Sequence, residues 1–141
     1  MEHPARRPDR TTAQRAGDRA EEVAAARLRE AGWAILHRNA RVGRKEIDIV
    51  AVDPGPPRML VIVEVRWRGS RAFGLAEETL DHRKRTHLRA AVGRLLEQGL
   101  PGSGASPSLP SLPIRVDLVV VEPATGEGEP LRIRHHRAIS L

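Results

Sequence analysis

Apolar residues recur along the chain with two different spacings, and the spacing assigns the elements. Between residues 17 and 31, Ala20, Ala24, Leu28 and Ala31 fall on one stripe of a helix. Gly32 follows and predicts the C-terminal stop. Trp33 to His37 predicts a short first strand, and Asn39 to Arg44 a basic turn. Glu46 to Val52 alternates, with Ile47, Ile49 and Ala51 on one face and Asp48, Val50 and Val52 on the other. Asp53-Pro54-Gly55-Pro56-Pro57 is a turn. Met59 to Arg66 is a second, more apolar strand, expected near the centre of the sheet and hairpin-paired with the first. Residues 76–98 predict the main helix, with Leu88, Ala91, Val92, Leu95 and Leu96 as its apolar face. Gly99 to Pro113 is a loop rich in Gly, Pro and Ser. Ile114 to Val121 and Leu131 to His135 are the last strands. The order is helix, three strands, helix, two strands. It predicts an α/β fold, a mixed central sheet flanked by helices, in one domain over residues 17–141. Residues 1–16, Arg-rich with Pro4 and Pro8, predict a loose basic arm.

Composition narrows the classes of function. The 141 residues suit one domain. With no Tyr and only Trp33, Trp67 and Phe73, the core must be built from Val, Leu, Ile and Ala. The absence of cysteine excludes a disulfide framework, a zinc ribbon, an iron–sulfur cluster and a thiol nucleophile. The longest aliphatic run, Met59 to Val63, is far short of a membrane span. The N-terminus lacks the apolar stretch of a secretory signal. The expectation is a cytoplasmic protein with no membrane partner. A net charge of +6 leans towards a polyanion. Lys45 and Lys84 are the only lysines, so the basic residues are almost all Arg. That bias fits either phosphate recognition or a coding preference for Arg and Ala.

Three carboxylates stand where solvated surface charge is not the easy explanation. Asp48 lies inside Ile47-Asp48-Ile49-Val50, and Glu64 inside Val61-Ile62-Val63-Glu64-Val65. Glu21 borders the stripe of the first helix. A carboxylate in an apolar strand is costly unless it is paired or holds a metal. Arg66 shares a face with Glu64 because side chains alternate along a strand. Two carboxylates on adjacent strands suit a hard cation such as Mg²⁺ or Mn²⁺ with waters completing its shell. A neighbouring cation would then stabilise charge on a scissile phosphate. The plainer reading pairs Arg66 with Glu64 or Asp48 as a structural ion pair. Asp117, also in an apolar strand, is read as paired with Arg115 and left outside the site.

Nucleic-acid contacts are expected from Arg44 and Lys45 at the basic turn, and from Arg68 and Arg71 beyond the third strand. Arg83, Lys84 and His87 extend them along the basic half of the main helix. The alternative for that helix is an ordinary solvated face. Trp67 could stack on a base or fill part of the core. His135 and His136 are adjacent on a strand and point to opposite faces, so joint metal ligation is poor.

Several segments together resemble the YraN-type bacterial family. They are Gly17-Asp18 to Glu21, then Ala24, Leu28, Gly32, Asn39 and Arg41. Glu46-Ile47-Asp48-Ile49-Val50, Val63-Glu64-Val65-Arg66 with Arg68, and Phe73-Gly74 follow. The basic helix around Lys84 and Arg115 to Val120 complete the likeness, which spans about residues 17–139. The resemblance implies a restriction-endonuclease-like fold of the PD-(D/E)XK type, similar to archaeal Holliday-junction resolvases. It places that superfamily's helix Glu on Glu21, its strand Asp on Asp48, its second carboxylate on Glu64 and its lysine on Arg66. Glu46 belongs to the family's Gly-Glu-Ile-Asp motif and is expected to orient site or substrate. Lys45 stands where that motif has Gly. Arg66 can neutralise charge but stays protonated, so it cannot act as a general base. The expected function is metal-dependent hydrolysis of phosphodiester bonds in DNA, branched DNA included. The alternatives are a nucleic-acid-binding module of the same fold without catalysis, and a protein-interaction scaffold. By analogy with resolvases, the active unit is expected to be a homodimer.

Overall fold

A computed structural model of the chain describes residues 11–69, 80–100, 109–124 and 130–141. Helix α1 spans Thr12–Glu30, strands β1 to β3 span Ala34–Val42, Lys45–Asp53 and Met59–Trp67, helix α2 spans His82–Gln98, and strands β4 and β5 span Ile114–Pro123 and Leu131–His136. The five strands form one sheet in the order β1-β2-β3-β4-β5. β3 and β4 are parallel, and every other neighbouring pair is antiparallel. The molecule is thus the expected mixed α/β fold, consistent with the restriction-endonuclease-like description.

α1 covers one face through Ala20, Ala24, Ala25 and Leu28, packed on Ile49, Ala51, Val61, Val63, Val119 and Val121. α2 lies among the second cluster, where Leu88, Ala91 and Leu95 pack with Val50, Val52, Leu60 and Ile62. The small side chains of α1 let it sit close to β3. Leu96, expected on the apolar face of α2, is instead 50% exposed.

Three boundaries depart from the periodicity. α1 begins at Thr12 rather than at residue 17, so residues 12–16 are helix and not arm; residues 1–10 lie outside the described residues. Its start is a capping box: Gln14 N–H donates to Thr11 Oγ1 at 3.1 Å, and Thr11 N–H donates to Gln14 Oε1 at 2.8 Å. That signal is polar and lies outside the apolar stripe. β1 continues to Val42, so most of the predicted basic turn is strand. Ala40 and Val42 are buried with Arg41 exposed between them, and the turn shrinks to Gly43 and Arg44. Gly43 has φ +63°, as a two-residue hairpin turn demands. α2 begins at His82, capped by Asp81, whose Oδ1 accepts from Lys84 N–H at 3.0 Å. Residues 76–79 of the predicted helix and 101–108 of the predicted loop lie outside the described residues.

Ile47 also changes partners. It joins Ala40 and Val42 in the α2-side cluster, apart from Ile49 and Ala51. The first β2–β3 partners are Ile49 and Val63, so β2 extends beyond that pairing. The freed tip of the β1–β2 hairpin packs by α2, with Val42, Arg44 and Lys45 facing Ala90, Ala91 and Arg94.

Candidate active site

Continuing the β2–β3 register one step beyond Ile49 and Val63 sets Asp48 opposite Glu64. When protonated, Glu64 donates to the Asp48 carboxylate. Asp48 Oδ2 also accepts the Val65 N–H at 2.8 Å, which fixes its orientation. Burial pushes both carboxyls above their ordinary range, and each negative neighbour adds to the effect: Glu46 on Asp48, and Asp48 on Glu64. Glu64 is raised to about 7. Arg66 Nε lies 3.5 Å from Glu64 Oε1. Its Nε and one Nη are buried without a hydrogen-bond acceptor. The pair is therefore only partly compensated, and the guanidinium beside it has donors to spare.

Other elements converge on this pair. Glu21, on α1, is raised to about 7 by burial and by the charge of Asp48, while Arg38 pulls it down. Asn39, with its amide nitrogen turned towards the acids, donates to Glu21 Oε1 at 2.6 Å and to Glu46 Oε1 at 3.0 Å. Asn39 holds φ +52°, a left-handed conformation that asparagine tolerates. It ties α1 to the first residues of β2. From the α2 side, Lys84 feels the charges of Glu64 and Asp48. Burial and the nearby Arg66 lower its pKa. Lys84, Glu64, Glu46, Lys45 and His87 line a cavity of about 190 Å³ floored by Leu80, Leu88 and Ala91. Lys45 Nζ sits 3.0 Å from His87 Nδ1.

The structure thus gathers Asp48, Glu64, Arg66, Lys84, Lys45, His87 and Glu46, with Glu21 held at the rim by Asn39. Among the described residues, no three His, Cys, Asp or Glu side chains converge tightly enough to hold a metal ion. Asp48 and Glu64 supply two opposed hard oxygen donors whose mutual repulsion a dication would relieve. That set fits Mg²⁺ or Mn²⁺ with waters filling the rest of the shell. Arg44 and Arg83 are exposed on the hairpin tip and on α2. Arg68 is buried, 6% exposed, so it does not stand out on the surface as a phosphate contact would. Arg71 lies outside the described residues. Asn39, expected in the basic turn, lies instead within β1, next to Arg38, whose charge no sequence pattern points to the site. A polar Asn interrupting a strand was the available signal for Asn39.

A second acidic cluster lies on β4. Asp117 is fully buried and accepts from Arg115 Nε at 2.8 Å, Arg115 Nη2 at 2.9 Å and Ala138 N–H at 3.0 Å. His135 Nε2 is 2.8 Å away. Burial alone would raise this carboxyl, but these partners outweigh it and hold it at about 2. Arg115 also bridges to Asp53 at 2.9 Å. The expected pairing with Arg115 is present.

Fold and site define a mixed α/β domain with a half-buried, under-compensated carboxylate pair on its central hairpin and basic groups across a small cavity. Residues 20–121 match the model of the Uncharacterised protein family UPF0102, and the chain belongs to that family. Its relatives include a UPF0102 protein of Sorangium cellulosum, 49% identical over 79 residues. That match covers 56% of this chain and 53% of the relative. A UPF0102 protein of Persephonella marina is 42% identical over 61% of this chain and 72% of its own length. One of Pseudomonas aeruginosa is 36% identical over 86% of this chain and 90% of its own length. The YraN-type resemblance and the family match agree. No helix among the described residues is long and apolar enough to cross a membrane.

Proposed function

We propose that this chain is a metal-dependent nuclease that hydrolyses phosphodiester bonds in DNA, branched DNA included. The observation that carries the reading is the Asp48–Glu64 pair: two half-buried acids facing each other, both raised, with Arg66 and Lys84 beside them. Asp48 and Glu64 would hold Mg²⁺ or Mn²⁺, with Glu21 as an outer carboxylate. The bound ion would supply charge at the scissile phosphate and an activated water. Val65 N–H fixes Asp48, and Asn39 fixes Glu21 and Glu46, so the acids are oriented before substrate arrives. Arg66, fixed beside the pair, would offset charge developing in the transition state. Arg44, Lys45, Arg83 and His87 would contact backbone phosphates and make affinity salt-dependent. A homodimer would let two such sites cut two strands symmetrically. A cytoplasmic setting belongs to the same proposal.

A binding module without catalysis is the second reading. It is favoured by Arg66, which cannot accept a proton, and by the two-carboxylate rather than three-carboxylate grouping. A cleavage assay separates them, using linear, single-stranded and four-way-junction DNA with Mg²⁺, Mn²⁺ or chelator. The nuclease reading expects metal-dependent products that vanish in Asp48→Ala. Salt-sensitive retardation without product, in every metal, would replace it with the binding module. A gain of cutting in Arg66→Lys would then locate the block at that residue.

A further inference from the structure

We infer that Lys84, delivered by helix α2, supplies the cation that meets the phosphate over the Asp48–Glu64 pair, while Arg66 serves as a fixed charge within the sheet. The inference rests on the nuclease reading and divides the work of its two nearest cations. Arg66 grows from β3 itself, its side chain is only 20% exposed, and its Nε ion-pairs with Glu64 at 3.5 Å. A guanidinium so placed balances the pair from within. Lys84 comes from the other layer of the molecule and lines the cavity together with Glu64, Glu46 and His87.

The start of α2 sets where that ammonium falls. Asp81 caps the helix and accepts the backbone N–H of Lys84, so Lys84 occupies the first turn. A helix N-terminus favours an anion in front of it, and a lysine there adds a compact point charge on a flexible stem. The residue is exposed at its mouth side and can follow a substrate, which Arg66 cannot. Burial and Arg66 already weigh against its charged form, and a phosphate would restore a counter-charge. The two carboxylates repel an incoming phosphodiester, so a cation on the solvent side of the pair is what the site needs to accept one. Lys84 stands there.

The test uses the whole chain with Lys84→Gln and Lys84→Arg. Two readouts are taken: the maximal cleavage rate with Mn²⁺, and DNA affinity against salt in chelator. Lys84→Gln is expected to lower the rate about a hundredfold and to reduce the salt slope by about one phosphate contact. Lys84→Arg should keep the slope and part of the rate. A salt slope kept by Lys84→Arg and lost by Lys84→Gln marks a phosphate contact, which a merely structural role for Lys84 would not give. A wild-type rate in Lys84→Gln, measured where Asp48→Ala is inactive, overturns the inference and leaves the nuclease reading standing. An unchanged salt slope overturns it as well. Absence of cutting by the wild type, with a reduced slope in Lys84→Gln, removes the nuclease reading but upholds the phosphate contact.

Discussion

Asp117 on β4 and the Asp48–Glu64 pair on β2 and β3 are the same device in sequence: an acid set into an apolar strand. The fold treats them in opposite ways. Asp117 is enclosed by Arg115, His135 and a backbone N–H, and is held at about 2. Asp48 and Glu64 face each other with one ion-pair contact at 3.5 Å, and both are raised. A buried acid that is fully paired has finished its task as part of the scaffold. A half-buried pair left short of positive charge favours whatever cation arrives.

The sharpest break between the two clusters is in activity. Asp48→Ala and Glu64→Ala should each lower cleavage at least about a hundredfold, with DNA retention in chelator preserved. Asp117→Asn should leave the rate per folded molecule intact. Its cost is in stability: removing one partner of a buried pair costs about 3 kcal/mol, readable as a lower urea midpoint. Asp48→Asn should move stability the other way at pH 8, by on the order of 1 kcal/mol, because it removes a repulsive charge while its amide oxygen can still accept from Val65.

The pH dependence divides the same way. Glu64 is raised from 4.5 to about 7, so the folded state holds a proton that the unfolded state has released. Without metal, this group's contribution to stability should therefore decline as pH rises from about 4.5 to 7. Mg²⁺ should flatten the decline, and Asp48→Asn should shrink it. Asp117 is lowered from 3.8 to about 2, so its contribution is present above about 4 and lost as pH falls towards 2. Melting temperatures across pH for the wild type, Asp48→Asn and Asp117→Asn resolve both windows.

Element order and the placement of Asp48 and Glu64 on adjacent strands were legible in the sequence because each leaves a local mark. Alternation marks a strand, and a charge within it marks a site. The remainder depended on polar signals or on packing between distant segments. The capping box of α1 lies outside the apolar stripe. β1 hid behind Asn39 and Arg41, which look like turn residues although Ala40 and Val42 beside them are buried. The burial of Arg68 depends on where β4 runs, since its N–H bonds Val121 O at 2.9 Å. The place of Lys84 beside Glu64 depends on how α2 lies on the sheet, which no local spacing encodes.

The most direct test of the account is a carboxyl ¹³C NMR titration of the metal-free protein, with Asp48→Asn, Glu64→Gln and Asp117→Asn for assignment. The account predicts one carboxyl of the Asp48–Glu64 pair titrating near 7, moved down by Mg²⁺, while Asp117 stays ionised to about 2. Ordinary titration of both Asp48 and Glu64 near 4, unaffected by Mg²⁺, would contradict it.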